Sequence, residues 1–284
     1  MMKKLLLCII AAAAVFTVSC SGLSAPRKDK GDLVVTFIDV GKGDCILIEH
    51  YGQTVMIDTG YEKTSSDVLT FLKNSDVKRL DHLIITHYDK DHVGGAAAIV
   101  QAIDVGTVYL PAYEGRGFAF KSFINAVREK NIKAVTITED TNITIGECVL
   151  TIFASDIEYI NEKGEEGNDN DCSLVISAVF DKDRYLFAGD LERDGIDSFL
   201  TKGRGTFDVV KMPHHGEKEK NSEEFISAVA PKIAVITDSK EESAGGKLIK
   251  LLEENKCAVY RTADCGTIRI TSKGEGRYTA DRLG

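Results

Sequence analysis

The chain of 284 residues contains no tryptophan and only 4 prolines, and no stretch rich in Pro, Gly or Ser divides it into separate domains. No period of ~20–50 residues repeats along it, which excludes a solenoid. Seven cysteines are too few at this length for a disulfide scaffold. None forms a Cys-x-x-Cys pair, so neither a zinc ribbon nor a thioredoxin-like redox site is supported. Positive charge is also scarce: 35 Lys and Arg stand against 44 Asp and Glu, a formal net charge of −9. Such a surface repels phosphate backbones on average, so contact with nucleic acid would need a local basic patch. What is present is an ordinary globular mixture, 43% hydrophobic and 28% charged, which excludes a disordered acidic tail and a collagen-like rod.

Lys3 and Lys4 open the chain, and Leu5 to Val18 is an almost unbroken apolar run. About 14 residues at 1.5 Å each cannot cross a hydrocarbon core of ~30 Å, and there is no polar face for an amphipathic helix. A positive start, a short apolar core and small residues after it read as an export signal. The ending Thr17-Val18-Ser19-Cys20-Ser21 resembles a bacterial lipobox, in which a small residue precedes a cysteine that is lipidated, although Thr17 stands where Leu is usual. The expectation is a lipoprotein signal peptide over 1–19, lipidation at Cys20, a polar tether over 20–32 and one domain over 33–284. That places the protein on the extracellular side of the cell membrane, lipid-anchored; cleavage without a lipid would make it secreted. Cys45, Cys148, Cys172, Cys257 and Cys265 remain, an odd number that cannot pair completely. Most are expected to be buried small hydrophobes.

From Leu33 onward, β-branched runs alternate with amphipathic stretches. Strands are predicted at Leu33–Asp39, Cys45–Glu49, Thr54–Asp58, Leu80–Thr86, Val108–Pro111, Ala134–Thr138, Cys148–Phe153, Ser173–Phe180, Arg184–Ala188 and Val209–Met212. Helices are predicted after Ser66 as a cap, then over Gly95–Ile103, Phe118–Asn131, Glu192–Thr201, Ser222–Val229 and Ala244–Glu254. Glu158 to Asp171 has no apolar period and reads as an exposed loop. Ala258–Arg261 and Thr267–Thr271 read as a last strand pair. The economical architecture is one α/β domain with helices covering two sheets.

The sharpest feature is Thr86-His87-Tyr88-Asp89-Lys90-Asp91-His92-Val93-Gly94-Gly95, four metal-ligand side chains within six residues directly after a strand. Imidazole and carboxylate hold divalent cations, and carboxylates at this density repel one another until a cation neutralises them. A lone His at a strand end is more often a hydrogen-bonded surface residue, and a lone Asp a helix cap; four together favour ligands. Phe187-Ala-Gly-Asp190, Val209-Val-Lys-Met-Pro-His214-His215-Gly216 and Ile57-Asp58-Thr59-Gly60 likewise end apolar runs in Asp or His. Each alone is most often a turn. Yet four of the 6 histidines fall in these segments, leaving only His50 and His82 elsewhere.

His-x-Asp-x-Asp-His at 87–92, Gly-Asp at 189–190 and His-His-Gly at 214–216 resemble the metallo-β-lactamase superfamily. The narrower set Val40-Gly41-Lys42-Gly43-Asp44, Asp58-Thr59-Gly60, Asn170-Asp171-Cys172-Ser173 and Pro213-His214-His215-Gly216 is similar to the C-terminal hydrolase domain of ComEC-type DNA-uptake proteins, as is Arg261-Thr262 with Gly266. The likeness runs from Leu33 to about Thr271. It implies a four-layer αββα sandwich and two divalent metal ions, zinc or manganese. On this resemblance His87 and Asp89 hold one ion, and Asp91 and His92 the second. Asp190 bridges the two, and His215 of the His214–His215 pair completes the second site. Asp58 fixes the tautomer of a ligand histidine. Two departures stand out: Asp89 replaces a usual His, and Asn168, Asn170 and Asp171 occupy the stretch where many members supply another. More oxygen ligands favour harder ions such as manganese.

Two such cations, held by these residues, would supply Lewis acidity and a hydroxide at neutral pH for attack on an ester carbonyl or phosphorus. Asp91 or His214 handles protons. Lys90 and Lys211 either attract an anionic substrate or are solvated surface charges. Three functions follow as expectations. The first is an exported phosphodiesterase or nuclease-like hydrolase, with nucleic acid a candidate substrate. The second is a hydrolase of a small envelope ester of the phosphorylcholine type, and the third a binding protein that keeps the fold with reduced catalysis.

Overall fold

The computed structural model describes residues 31–158 and 168–283. The expected signal peptide, Cys20, the tether up to residue 30 and positions 159–167 of the acidic loop lie outside the described residues.

β1 (Leu33–Phe37), β2 (Ile46–His50) and β3 (Gln53–Ile57) form an antiparallel meander. After α1 (Ser65–Asn74) the chain returns parallel as β4 (Arg79–Ile84). Then α2 (Ala96–Ala102) leads to β5 (Asp104–Pro111), and α3 (Phe118–Glu129) to β6 (Lys133–Ile137), both parallel additions. The second sheet repeats the plan. β7 (Thr141–Ile145), β8 (Cys148–Phe153), β9 (Val175–Phe180) and β10 (Asp183–Phe187) are antiparallel. They are followed by α4 (Arg193–Thr201), β11 (Val209–Lys211), α5 (Ser222–Val229), β12 (Ile233–Ile236), α6 (Gly246–Glu254) and β13 (Ala258–Arg261), whose strands run parallel. A helical turn, α7 (Thr262–Cys265), carries the chain back to the first sheet as β14 (Ile268–Ser272) and β15 (Tyr278–Arg282).

Side chains alternate across each strand, so one run of apolar residues feeds two cores. Leu33, Val35, Phe37, Ile46, Ile48, Val55 and Ile57 of the first sheet meet Ile176, Tyr185, Phe187 and Val209 of the second, with the Phe37 and Phe187 rings 6.1 Å apart. On the outer faces, Leu47 and Met56 pack under α1–α3 with Val68, Leu72 and Phe123. Leu186 and Val210 pack under α4–α6 with Ile196, Ile226 and Leu248. Helix, sheet, sheet, helix: the layers are those of the αββα sandwich in a single α/β (α+β) domain.

Several local readings need correction. β13 and β14 are not a pair: β13 lies beside β12 in one sheet, β14 beside β1 in the other. The Gly266 between them, at φ 65°, follows the α7 turn rather than a hairpin. α1 begins at Ser65, so Ser66 sits inside its first turn and not at the cap. Asp171, read as loop, is buried in a 3₁₀ turn over Asn170–Cys172. All five described cysteines are buried free thiols.

Candidate metal centre

Parallel neighbours point their carboxyl ends to the same side, where open α/β sheets build their sites. β3 and β4 do this in one sheet, β10, β11 and β12 in the other. Asp58 follows β3, Thr86 and His87 follow β4, Asp190 follows β10, His214 and His215 follow β11, and Thr237 follows β12. Asp44 enters from the β1–β2 connection. The backbone is strained here: Asp58, His214 and His215 have φ of 56°, 45° and 51°, a left-handed conformation costing about 1–2 kcal/mol for a residue with a Cβ. Two glycines are obligatory by contact. A Cβ on Gly94 would lie 2.1 Å from the Lys90 carbonyl oxygen, and one on Gly189 (φ 54°) would lie 2.8 Å from Ser173 Cβ.

Asp91, His92, Asp190 and His215 each present a ligand atom within 4.8 Å of the others. Asp190 Oδ2 lies 3.1 Å from His92 Nε2 and 2.9 Å from His215 Nε2. The two Nε2 atoms are 3.3 Å apart, and Asp91 Oδ2 is 3.5 Å from that of His215. Each ring is turned inward by a partner on its other nitrogen. His92 Nδ1 donates to Asp58 Oδ2 at 2.8 Å. His215 Nδ1 donates to Thr237 Oγ1 at 3.1 Å, and that hydroxyl donates to Asp44 Oδ1 at 2.6 Å. Asp58 is itself fixed by the Thr86 amide and hydroxyl, at 2.8 and 2.6 Å. Such outer partners set the tautomer and direction of an imidazole ligand.

Lys211, expected behind the ligands, facing substrate or as a solvated charge, is fully buried, which removes the solvated reading and sets it behind Asp190. Its ammonium lies 2.6 Å from Asp44 Oδ2 and 3.1 Å from Asp190 Oδ1, and donates to the Gly189 carbonyl at 2.8 Å. It therefore occupies one oxygen of Asp190 and leaves Oδ2 facing the imidazoles. Lys90 is exposed.

His87 is buried beside this group, its ring centroid 4.0 Å from that of His92. Its Nδ1 lies 3.1 Å from Thr86 Oγ1 and 3.3 Å from Ser173 Oγ, while its Nε2 is buried with no hydrogen-bond partner. The nearest carboxylate oxygen to that nitrogen is Asp89 Oδ2 at 3.8 Å, on a side chain 52% exposed. His214 stands apart from the cluster: its ring is 6.2 Å from that of His215, and its Nδ1 faces Glu192 Oε1 at 3.5 Å. Asn170 likewise turns to Glu192, donating to Oε1 at 2.8 Å. Asp44, Thr237, Ser173 and Glu192 were missed as site residues. Asp44 carried the same Gly-Asp signal as Asp190, but no apolar run leads directly into it, and Thr237 carried none.

Burial disfavours charge throughout, and the neighbours decide which groups keep it. Burial pushes the His92 imidazole down, but the carboxylates of Asp190 and Asp58 outweigh it and keep the ring protonated well above the ordinary histidine range. His215 is raised in the same way, burial being overcome chiefly by Asp190. Burial opposes the charge on Asp190, yet His215, His92 and Lys211 hold it well below the usual carboxylate range. Asp91 is lowered to about 2, burial being overridden by His215 and His92. His87, by contrast, is driven well below its usual value by burial and by the charge of His92. A divalent cation fits this donor set. Two imidazole nitrogens and two carboxylates converge on one point, a third imidazole nitrogen is orphaned next to them, and a cation would replace the shared protons.

The model of the metallo-beta-lactamase superfamily matches residues 38–237. ComE operon protein 3 of Bacillus subtilis (strain 168) is 27% identical over 265 residues, covering 84% of this chain and 33% of that protein. Endoribonuclease ysh1 of Schizosaccharomyces pombe is 34% identical over 80 residues, 26% of this chain and 10% of that one. The chain thus spans a third or less of the length of these relatives. Among solved structures, the metallo-beta-lactamase fold protein YhfI from Bacillus subtilis superposes with a TM-score of 0.56 at 12% identity, covering 85% of this chain and all of the other.

Proposed function

The chain belongs to the metallo-beta-lactamase superfamily, and on that footing we propose that it is an exported, metal-dependent hydrolase of phosphodiesters. The observation that carries this reading is the convergence of Asp91, His92, Asp190 and His215 from both sheets onto one point. These four would hold one divalent ion, zinc or manganese, and His87 with Asp89 would hold a second. When bound, such ions supply Lewis acidity and a nucleophile at neutral pH. The chain's own residues do the rest. Asp58 and Thr237 keep the His92 and His215 rings turned inward, and Lys211 keeps Asp190 anchored by one oxygen. His214, at the mouth, gives a proton to the leaving oxygen, and Asp91 takes part in handling the proton of the attacking group.

The phosphodiester preference is supported by the motifs shared with DNA-uptake proteins and by the similarity to a protein named as an endoribonuclease. A cleft of about 710 Å³ also opens at Tyr88, between His87 and Asp89 in sequence, and is lined by Tyr113, Phe120, Lys121 and Arg128. Tyrosine faces can stack bases and the cations can take phosphates, as in single-strand-binding grooves. Against the net charge of −9, binding of nucleic acid there should weaken steeply with salt.

The test is a substrate panel on purified protein loaded with zinc or manganese: single- and double-stranded DNA, RNA, bis-(p-nitrophenyl) phosphate, a phosphorylcholine ester and a β-lactam. Diester cleavage is expected, lost in Asp190→Ala together with bound metal while the fold is kept. Dominant turnover of the phosphorylcholine ester would move the assignment to a small envelope substrate, and dominant lactam turnover would overturn it. Fewer than one metal per chain with no turnover would identify a binding protein.

A further inference from the structure

In the segment Val40-Gly41-Lys42-Gly43-Asp44, Asp44 belongs to the hydrogen-bond network behind the metal centre and Lys42 does not. The loop is built against the ligand segment. A Cβ on Gly43 would lie 2.7 Å from the Asp91 carbonyl oxygen, and Gly41 takes φ 82°. Between these two glycines, Lys42 reaches across to the second sheet. Its ammonium donates at 2.6 Å to Oε1 of Glu217, two residues past His215. Glu217 Oε2 lies 4.0 Å from His214 Nδ1, so this carboxylate stands between the lysine and the His214–His215 pair. Burial pushes the Lys42 ammonium down, but Glu217, with Glu242 and Asp91 adding to it, raises it above its usual value.

As a fastening between the sheets this pair is redundant. Asp44, two residues on, is already tied to the second sheet by buried contacts, 2.6 Å from Thr237 Oγ1 and 2.6 Å from the Lys211 ammonium. The Lys42 and Glu217 side chains are 20% and 48% exposed, and an ion pair so exposed returns little stability. What the pair does supply is a cation at the mouth of a site otherwise crowded with the carboxylates of Asp89, Asp91 and Asp190. Its present acceptor is half in water already and gives way at small cost. To an ammonium, a carboxylate oxygen and a phosphate oxygen are acceptors of the same kind. We propose that Lys42 is a specificity-determining residue that takes a non-bridging oxygen of an anionic phosphodiester, and that Glu217 holds that place until the substrate displaces it. This rests on the reading of the site as a phosphodiester hydrolase and narrows it: a charged diester binds in preference to a neutral ester of the same shape.

Calorimetry on the zinc-loaded full chain tests it with two probes that resist cleavage: dithymidine phosphorothioate, which is anionic, and the uncharged dithymidine methylphosphonate. Lys42→Met should raise Kd for the charged probe about tenfold and for the neutral one by less than about twofold, as loss of a charge-assisted hydrogen bond does. Lys42→Arg should recover part of the loss. Glu217→Gln should act in the opposite direction and lower Kd for the charged probe about twofold to fivefold, because an amide competes less for the ammonium. A fastening role predicts that both variants weaken both probes, and that result overturns the proposal. An equal change on the two probes in Lys42→Met also overturns it. Metal content is read in every variant by elemental analysis. Where Lys42→Met loses metal or does not fold, Lys42→Arg and Glu217→Gln carry the test. Native protein that binds the charged probe through Lys42 yet cleaves no diester would sink the hydrolase reading and leave the anion contact standing. Native protein that favours neither probe overturns the contact itself.

Discussion

Asp169 shows how the acidic site taxes the fold residue by residue. Burial, with the nearby charge of Asp89 adding to it, raises its carboxyl to about 7, and its Oδ1 is buried without a partner. In the unfolded chain the same group ionises near pH 3.9. Between those values the folded state retains a proton that the unfolded state has lost, so stability falls as pH rises from about 4 to about 7 and stays lost above that. Asp169→Asn should therefore raise Tm of the metal-free protein by a few °C at pH 8 and change it little at pH 4, as read by thermal melts across that range. Among single residues, the cluster of candidate ligands was legible because histidine beside aspartate after an apolar run is a rare juxtaposition. Lys211 was not: nothing along the sequence says that the lysine of Val209-Val210-Lys211 points inward to two carboxylates contributed by other elements.

At the scale of elements, the loop from Lys90 to Gly95 is held by backbone contacts as much as by side chains. The Asp44 amide donates to the Asp91 carbonyl at 3.1 Å, the Thr59 amide to that of His92 at 2.8 Å, and the Gly95 amide to that of Gly60 at 2.9 Å. Gly94→Ala must push this loop off the Lys90 carbonyl and the Glu62 amide. Metal affinity should fall at least about tenfold, measured by competition with a chelating dye, with little change in helix and strand content by circular dichroism. The strands that the sequence concealed are those whose pattern is weakest. β7 buries only Ile143 and Ile145 of five residues, β12 has four residues, and β15, Tyr-Thr-Ala-Asp-Arg, has no buried position. The long central strands, by contrast, carry apolar side chains on both faces because both faces are covered, and most were read near their true limits, β5 only from Val108 rather than from Asp104.

For the whole molecule, the open matter is where it works. No helix among the described residues is long and apolar enough to cross a membrane. Lipid attachment at Cys20, which lies outside those residues, is a separate proposal. Cells expressing the protein should incorporate labelled fatty acid into it and retain it in the membrane fraction. Cys20→Ser should lose both, and label retained in that variant would place the lipid elsewhere or show that none is attached there. One further consequence follows from the chain supplying Asp91 and His92 from one sheet and Asp190 and His215 from the other. An ion seated among them would rivet the sandwich along its open seam, over and above the apolar filling beneath. Chelation should then lower the melting temperature in proportion to the logarithm of free metal. Amide exchange should quicken first at this rim and last around Phe37 and Phe187, so an ion seated there would also set how long the fold persists.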